Sequence, residues 1–134
     1  MIFTVNAEPV GKARHRTTRT GHTYTPQRTT DAQEAVQAAF RTRAALEGFT
    51  PLEGAVRLGV YATFRMPKSW SAKKHAGMSG TPCLKKPDGD NVYKLVGDAL
   101  NGLAYADDSQ VSDGSFVKYW GADGSVVVSV EAAS

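Results

Sequence analysis

The stretch KPDGDNVYKLVGDALNGLAYADDSQ, residues 86–110, combines a helical pattern with a dense group of aspartates. After Asp90, apolar residues recur with a helical period, at Val92, Leu95, Val96, Ala99, Leu100 and Leu103. Asp90 is a suitable N-cap for this helix, and Gly102 is a suitable stop. The pattern predicts a helix over residues 91–101 whose polar face carries Asn91, Lys94, Asp98 and Asn101.

The aspartates of this stretch are Asp88, Asp90, Asp98, Asp107 and Asp108. Ionised carboxylates repel one another, so crowding them is unfavourable unless they cap helices, face water or share a cation. The predicted helix rises about 16 Å, and residues 103–108 can cover about 20 Å when extended. A chain that doubles back along the helix therefore brings Asp108 to the level of Asp88 and Asp90.

Two interpretations of these carboxylates follow from the spacing. One is a metal site formed by Asp88, Asp90 and Asp108, with Lys94 one helical turn along and close enough to reach a bound ligand. The other is that Asp88 and Asp90 only cap the helix, while residues 107–108 only form a turn in water. Spacing alone favours neither interpretation.

Three further polar residues surround the predicted site. Asp98 lies four residues after Lys94 on the same helix face, so we expect an ion pair between them that positions the lysine. Asn91 either orients a metal ligand or forms a hydrogen bond at the helix start. Asp107 is either an auxiliary ligand or a turn residue that faces solvent, and the turn residue is favoured.

Charge is distributed unevenly along the chain, although the formal net charge is only +3 and the pI about 9.1. No acidic residue occurs between Glu8 and Asp31, or between Glu53 and Asp88. Two basic tracts together with an acidic focus favour a polyanion that cations hold while a metal acts at one point, whereas the alternative is an ordinary solvated surface. The predicted DNA contacts are Lys12, Arg14, Arg16, Arg19, Lys68, Lys73, Lys74, Lys85 and Lys86.

The 134 residues are predicted to form one domain, 1–134, because this length suits a single core and no linker or internal repeat is present. Alternation over residues 55–66 predicts a long half-buried strand, and Asp123-Gly124 predicts a hairpin between strands at 116–120 and 125–130. The other predicted elements are a strand at 1–6, a loose hairpin near Thr20-Gly21, a helix at 30–47 capped by Thr29 or Thr30 and stopped by Gly48, and a short helix ending at His75 that Ser69 or Ser71 caps. The expected fold class is α+β, with one mixed sheet packed against two main helices.

Several other classes of protein do not fit the sequence. No apolar run reaches membrane-spanning length, and the start of the chain lacks the order of a secretory signal. The lone cysteine, Cys83, cannot form an internal disulfide, which is typical of a reducing cytosol. The histidines lack zinc-ligand spacing, and a calcium loop fails because Val92 and Tyr93 occupy positions that need a ligand and a glycine. We therefore expect a cytoplasmic protein with no membrane partner.

The runs KPDGDN and DALNG, Lys94 between them, and the run ADDSQV resemble the signature of the RusA family of Holliday junction resolvases. The amino-terminal runs PVGKARHR and HTYTP are similar to the opening of the same family, so the resemblance covers most of the chain. It implies a RusA-like fold in which Asp88, Asp90 and Asp108 are magnesium-binding catalytic carboxylates and Lys94 is the catalytic lysine. It also implies branched DNA as the partner, a homodimer, and a bacterial, phage or prophage origin.

Hydrolysis of a phosphodiester accounts for this set of residues. Mg²⁺, or Mn²⁺ in its place, polarises the scissile phosphate and lowers the pKa of the attacking water, while Lys94 offsets the charge that grows on the phosphate. Resolving a four-way junction needs two symmetric nicks, and hence two sites related by a two-fold axis. The sequence thus predicts a magnesium-dependent, structure-selective endodeoxyribonuclease that resolves Holliday junctions in recombination and repair. The alternatives are a non-catalytic basic module that binds branched DNA and a metal-dependent nucleotide hydrolase.

Overall fold

Three helices and six strands make up the regular structure of the described residues. The computed structural model describes residues 1–13 and 16–133, apart from the side chain of Arg16. The helices are α1 (Gln27–Glu47), α2 (Ala72–Met78) and α3 (Gly89–Leu100), and a 3₁₀ turn covers Asp108–Gln110. The strands are β1 (Ile2–Val5), β2 (Arg16–Thr17), β3 (Thr23–Tyr24), β4 (Val56–Arg65), β5 (Val111–Gly121) and β6 (Ser125–Ala132). Within this part of the chain, no helix has both the length and the apolar character needed to cross a membrane.

Strand β4 lies inside a four-stranded mixed sheet with the order β1-β6-β4-β5. It pairs with β5 in parallel and with β6 antiparallel, and β6 also pairs antiparallel with β1. Strands β2 and β3 form a separate small hairpin in which Arg16 lies opposite Tyr24, and Gly21 in its turn has φ 84°. The expected α+β class, the mixed sheet and the hairpin near residue 20 are therefore confirmed.

The predicted hairpin at Asp123-Gly124 is wrong, because β5 and β6 do not pair with each other. Each of them pairs with a different edge of β4: Gly121 lies opposite Arg65 on one side, and Ser125 lies opposite Thr63 on the other. The intervening residues pass across the end of β4 instead of closing a two-stranded ribbon. An Asp-Gly pair reports a local turn preference, whereas the order of strands depends on burial over the whole sheet.

One face of β4 forms the centre of the core, and its predicted alternation is confirmed. The buried residues of this face are Val56, Leu58, Val60, Ala62 and Phe64, and the residues between them are intermediate or exposed. Helix α3 lays its apolar stripe on this face, and α1 packs against α3 and β1. Phe40 of α1 contacts Phe3 and Phe49 edge to face, with ring centroids 5.8 Å and 5.5 Å away. The two main helices thus cover one side of the sheet.

Helix boundaries differ from the sequence predictions where tertiary contacts intervene. Helix α1 begins at Gln27, three residues before the predicted start, and Thr29 is buried within its first turn instead of capping it. The Thr29 Oγ1 accepts a hydrogen bond from Ala13 N at 3.4 Å, so the contact with the N-terminal segment uses the oxygen that a cap would need. Gly48 ends α1 with φ 63°, as expected. Ser71 caps α2 as expected, but this helix continues to Met78.

The opposite face of the sheet is exposed along β4 and β5. Tyr61 is 46% exposed and Val117 is 38% exposed. The Tyr61 ring stacks on Tyr119, with centroids 5.2 Å apart and planes at 25°. Because side chains alternate between the two faces of a strand, these residues point away from α1 and α3. We call Tyr61, Val117 and Tyr119, together with Val127 opposite Tyr61 on β6, the open face of the sheet.

Candidate functional site

Two of the predicted catalytic carboxylates lie at the start of α3. Asp88 is the N-cap residue, with φ −63° and ψ 146°, and Asp90 lies in the first turn, so the predicted cap at Asp90 is wrong by two positions. Helix α3 begins earlier because Gly89 can lie directly on β5: a Cβ atom at position 89 would come within 2.1 Å of the Phe116 ring. Both carboxylates are exposed at the amino-terminal end of the helix.

A second close contact fixes the direction of α3 on the sheet. A Cβ atom at Gly114 would lie 2.2 Å from the hydroxyl oxygen of Tyr93, and this hydroxyl donates a hydrogen bond to Leu58 O at 3.3 Å. Burial raises the pKa of Tyr93, and the nearby charge of Asp113 raises it further. Because Gly89 lies over Phe116 and Tyr93 lies over Gly114, α3 and β5 run in opposite directions.

A cationic cleft of about 620 Å³ adjoins Asp88. Its cationic residues are Lys12, Arg28, Lys85 and Lys86, and its acidic residues are Glu8 and Asp88. Lys85 and Lys86 belong to the predicted DNA contacts, whereas Arg28 was not among them. Arg28 could have been found from its position in the acid-free tract between Glu8 and Asp31. The cleft therefore joins both basic tracts of the sequence beside one predicted catalytic carboxylate, and its net positive charge suits an anionic ligand.

Asp107 has a local structural role at the 3₁₀ turn. Its carboxylate accepts a hydrogen bond from Ser109 Oγ at 2.5 Å, and this bond is the main cause of a lowered pKa for Asp107. The Gln110 side chain accepts hydrogen bonds from Ala106 N at 2.9 Å and Asp107 N at 3.0 Å. Its amide group also donates to Leu52 O at 3.0 Å. Asp107 is thus an exposed residue of the turn, and whether it also acts as an auxiliary ligand stays a prediction.

Asp108 is the first residue of the 3₁₀ turn, three residues after Tyr105. Tyr105 anchors this segment to the core. Its side chain is fully buried, and its hydroxyl donates a hydrogen bond to Gly97 O at 2.9 Å. Burial raises the pKa of Tyr105, and the charges of Tyr93, Asp108 and Asp98 raise it further. Gly97 is seven residues after Asp90, about 10 Å along the helix axis. The contacts seen for this segment are therefore with the later part of α3, away from Asp88 and Asp90.

The three predicted metal ligands form no ion pairs with the described residues. Asp88, Asp90 and Asp108 are all exposed. Residues 1–13 and 16–133 contain no group of three histidine, cysteine, aspartate or glutamate side chains close enough to hold a metal ion. Binding of one metal by Asp88, Asp90 and Asp108 together stays a prediction.

Asp98 pairs with Lys12, so the expected ion pair between Asp98 and Lys94 is wrong. Lys12 Nζ contacts Asp98 Oδ2, and Lys12 N donates to Asn91 O at 2.9 Å. A lysine four residues before an aspartate is the weaker of the two helical orientations, which leaves Asp98 available to a cation from elsewhere in the chain. Lys94 is exposed and forms no ion pair with any other part of the described chain. The Asn91 carbonyl supports the N-terminal segment, while the role predicted for its side chain stays a prediction.

The other predicted DNA contacts are spread over the surface. Lys68, Lys73 and Lys74 are exposed around α2, and Lys74 Nζ lies 4.3 Å from the centroid of the Trp70 ring. Arg19 is exposed in the β2–β3 hairpin. Arg14 lies outside the described residues, as does the side chain of Arg16. Contact of these residues with DNA stays a prediction.

Two comparisons with known proteins each match most of the chain. Residues 6–131 match the model of the family described as endodeoxyribonuclease RusA. A protein of Bacillus subtilis (strain 168), described as uncharacterized protein YqaN, is 36% identical over 142 aligned residues, which cover 98% of this chain and 96% of that protein.

Proposed function

Because the chain belongs to the RusA family of endodeoxyribonucleases, we propose that it is a metal-dependent nuclease that cuts branched DNA at four-way junctions. The observation that carries the proposal is the position of Asp88, which lies at the start of α3 and lines the cleft that also contains four cationic residues. Such a cleft suits a DNA backbone, and the exposed carboxylates beside it are the hard oxygen ligands that Mg²⁺ prefers. Resolution of Holliday junctions in recombination and repair is the expected process.

Asp88, Asp90 and Asp108 would supply the carboxylate ligands of Mg²⁺, with Mn²⁺ as a substitute. Asp108 would first have to approach the start of α3, because the described residues do not place the three carboxylates close enough for one ion. Their chemistry fits a divalent cation, because all three are carboxylates and none is neutralised by a cation from the described residues. When bound, the metal polarises the scissile phosphate and supplies an activated water. Asp88 and Asp90 anchor that end of the site, and Lys94, one turn along α3, stabilises the negative charge that develops on the phosphate.

The cationic cleft would hold the DNA strand next to the cut. Arg28, Lys85 and Lys86 line it together with Asp88, so phosphates bound there lie directly beside the start of α3. Cations that contact phosphates release counterions, which makes binding depend steeply on salt. A nucleotide hydrolase has no need of such a groove, so the cleft favours a polymeric substrate over a small one.

Two symmetric nicks require two sites, and we propose a homodimer formed through the open face of the sheet. Helices α1 and α3 cover one face of the sheet, whereas Tyr61 and Val117 on the other face remain exposed. With strands about 4.8 Å apart and about 3.3 Å per residue, the four-stranded face measures roughly 500 Å². Two such faces in contact bury about 1,000 Å², which reaches the lower range of specific interfaces. Strand β6 contributes Val127, which lies opposite Tyr61, to this face.

Nicking of a synthetic four-way junction in Mg²⁺ tests the proposed activity. Wild type should give paired symmetric nicks in the junction and leave a linear duplex intact, whereas Asp90→Asn should bind the junction without cutting it. If wild type binds the junction but cuts it in neither Mg²⁺ nor Mn²⁺, the proposed nuclease activity is wrong. The protein is then a non-catalytic basic module that binds branched DNA.

A further inference from the structure

An ion pair ties the N-terminal segment to the polar face of α3. Lys12 Nζ contacts Asp98 Oδ2, and the two side chains are only 24% and 26% exposed. Gly11 makes the approach possible, because a Cβ atom there would lie 2.7 Å from Pro87 Cβ and 3.1 Å from Asn91 Cβ. Gly11 and Lys12 therefore lie against the first turns of α3, and the Lys12 side chain extends from the level of Asn91 towards Asp98.

This ion pair determines which cation Asp98 can neutralise. Asp98 lies four residues after Lys94, on the same face of α3, where a contact between the two side chains is geometrically possible. Asp98 instead forms an ion pair with Lys12. Lys94 is exposed and forms no ion pair with the described residues. The Lys94 ammonium group is thus available to an external anion.

We propose that Lys12 and Asp98 are positioning residues that keep the Lys94 ammonium group free to contact the scissile phosphate; this inference rests on the catalytic role of Lys94 in the proposed function. Without Lys12, the largely buried Asp98 carboxylate has no cation, so it attracts Lys94 away from the phosphate. The same unpaired carboxylate also adds a negative charge close to where the transition state develops one. Both effects weaken electrostatic stabilisation of the phosphate and act through Asp98.

A direct contact between Lys12 and DNA is the competing explanation, because Lys12 also lines the cationic cleft. The two explanations differ in their dependence on Asp98. If Lys12 contacts a phosphate, its loss weakens binding whether or not position 98 is charged. If Lys12 acts by pairing with Asp98, loss of Lys12 lowers the rate of cutting at saturating protein, and replacing Asp98 by a neutral residue removes this effect.

The decisive experiment measures single-turnover nicking of a four-way junction at saturating protein, for Lys12→Met in the wild-type and in the Asp98→Asn background. We expect about a three- to tenfold lower rate in the wild-type background, because a lysine–aspartate pair within one helix is weak and holds the lysine only part of the time. In the Asp98→Asn background, Lys12→Met should lower the nicking rate by less than about twofold. Equal losses in the two backgrounds would overturn the proposal.

Two matched variants exclude general effects of charge and folding. Lys86→Met removes a cation from the same cleft but not the partner of Asp98. The nicking rate should therefore fall by the same factor in the wild-type and Asp98→Asn backgrounds. Lys12→Arg keeps a cation for Asp98, so its loss of rate in the wild-type background should be smaller than that of Lys12→Met. A rescue of Lys86→Met by Asp98→Asn would show that the compensation is nonspecific and would also overturn the proposal.

Carbodiimide cross-linking followed by mass spectrometry tests the arrangement without any cutting. This reagent joins an amine to a carboxylate that it contacts, so wild type should yield a link between Lys12 and Asp98. Lys12→Met should instead yield a link between Lys94 and Asp98, and its absence would contradict the proposal. A wild-type protein that never cuts junctions would count against the nuclease, whereas these links would still decide whether Lys12 keeps Asp98 from Lys94.

Discussion

Gly89 of α3 lies so close to Phe116 of β5 that a Cβ atom at position 89 would come within 2.1 Å of the ring. This contact seats the first turn of α3, with Asp88 and Asp90, on the sheet. The missing side chain at position 89 therefore determines where two predicted catalytic carboxylates lie.

Gly89→Ala should destabilise the protein by about 1 to 3 kcal/mol, because the added methyl group must displace Phe116 or lift the helix. Gly97→Ala is the matched control on the same helix: its nearest neighbour would be Leu58 at 3.8 Å, an ordinary contact. Since alanine favours a helix over glycine by up to about 1 kcal/mol, Gly97→Ala should be neutral or stabilising. Urea unfolding of both variants measures the difference, and equal effects would contradict the packing described.

Stability at alkaline pH should depend on Tyr105. Burial raises its pKa in the folded state, so folding favours the protonated phenol. The resulting stabilisation is complete below the unfolded pKa of about 10 and is lost as the pH rises above it. The free energy of unfolding should therefore fall from about pH 10 upwards, and less steeply in Tyr105→Phe. Urea unfolding of wild type and Tyr105→Phe over this range tests the slope, and equal slopes would contradict the burial described for Tyr105.

Ser109→Ala should raise the pKa of Asp107. The hydrogen bond from Ser109 Oγ is the main cause of the lowered pKa of this carboxylate. Because the folded pKa is below the unfolded value, the contribution of Asp107 to stability is present above the unfolded pKa and is lost as the pH falls through the folded pKa. NMR titration of the Asp107 carboxyl carbon measures the shift. Ser112→Ala, a change on the exposed part of β5, should leave it unaltered.

Lys85→Met and Arg28→Met should weaken junction binding to a similar extent on cleavable and non-cleavable junctions. Each change removes a cation from the cleft beside Asp88, so the slope of log K against log salt should decrease by about one per residue. Arg43→Met is the control, because Arg43 lies on α1 and pairs with Glu47 at 2.8 Å. A reduced salt slope for Arg43→Met, or none for the cleft variants, would place the DNA on another surface.

Tyr61→Arg should dissociate the proposed dimer. A two-fold interface contains each substitution twice, and loss of a central tyrosine commonly weakens an interface by about tenfold or more. Tyr24→Arg is a matched control, since Tyr24 is 47% exposed and Tyr61 is 46% exposed, but Tyr24 lies on the β2–β3 hairpin. Sedimentation velocity should show monomers for Tyr61→Arg and dimers for Tyr24→Arg. Wild type that sediments as a monomer with or without junction DNA would contradict the interface.

The elements with strong periodicity were predictable from sequence. Alternation identified β4, helical spacing identified α3, and glycine marked the end of α1 at Gly48. Caps and strand partners were less predictable, because they depend on contacts between distant residues. Thr29 is buried against Ala13 instead of capping α1, and the Asp123-Gly124 turn joins strands that both pair with β4.

The sequence by itself determined the composition of the candidate site, because residue types and their spacing specify the available chemistry: carboxylates suited to a hard cation, a lysine on the same helix and two basic tracts. Only the tertiary structure decided which of these groups neutralise one another. Lys12 and Asp98 are 86 positions apart, and folding of Gly11 and Lys12 onto α3 brings them into contact. Lys94 consequently remains unpaired within the described chain, because an ion pair depends on proximity in space and not on distance along the sequence.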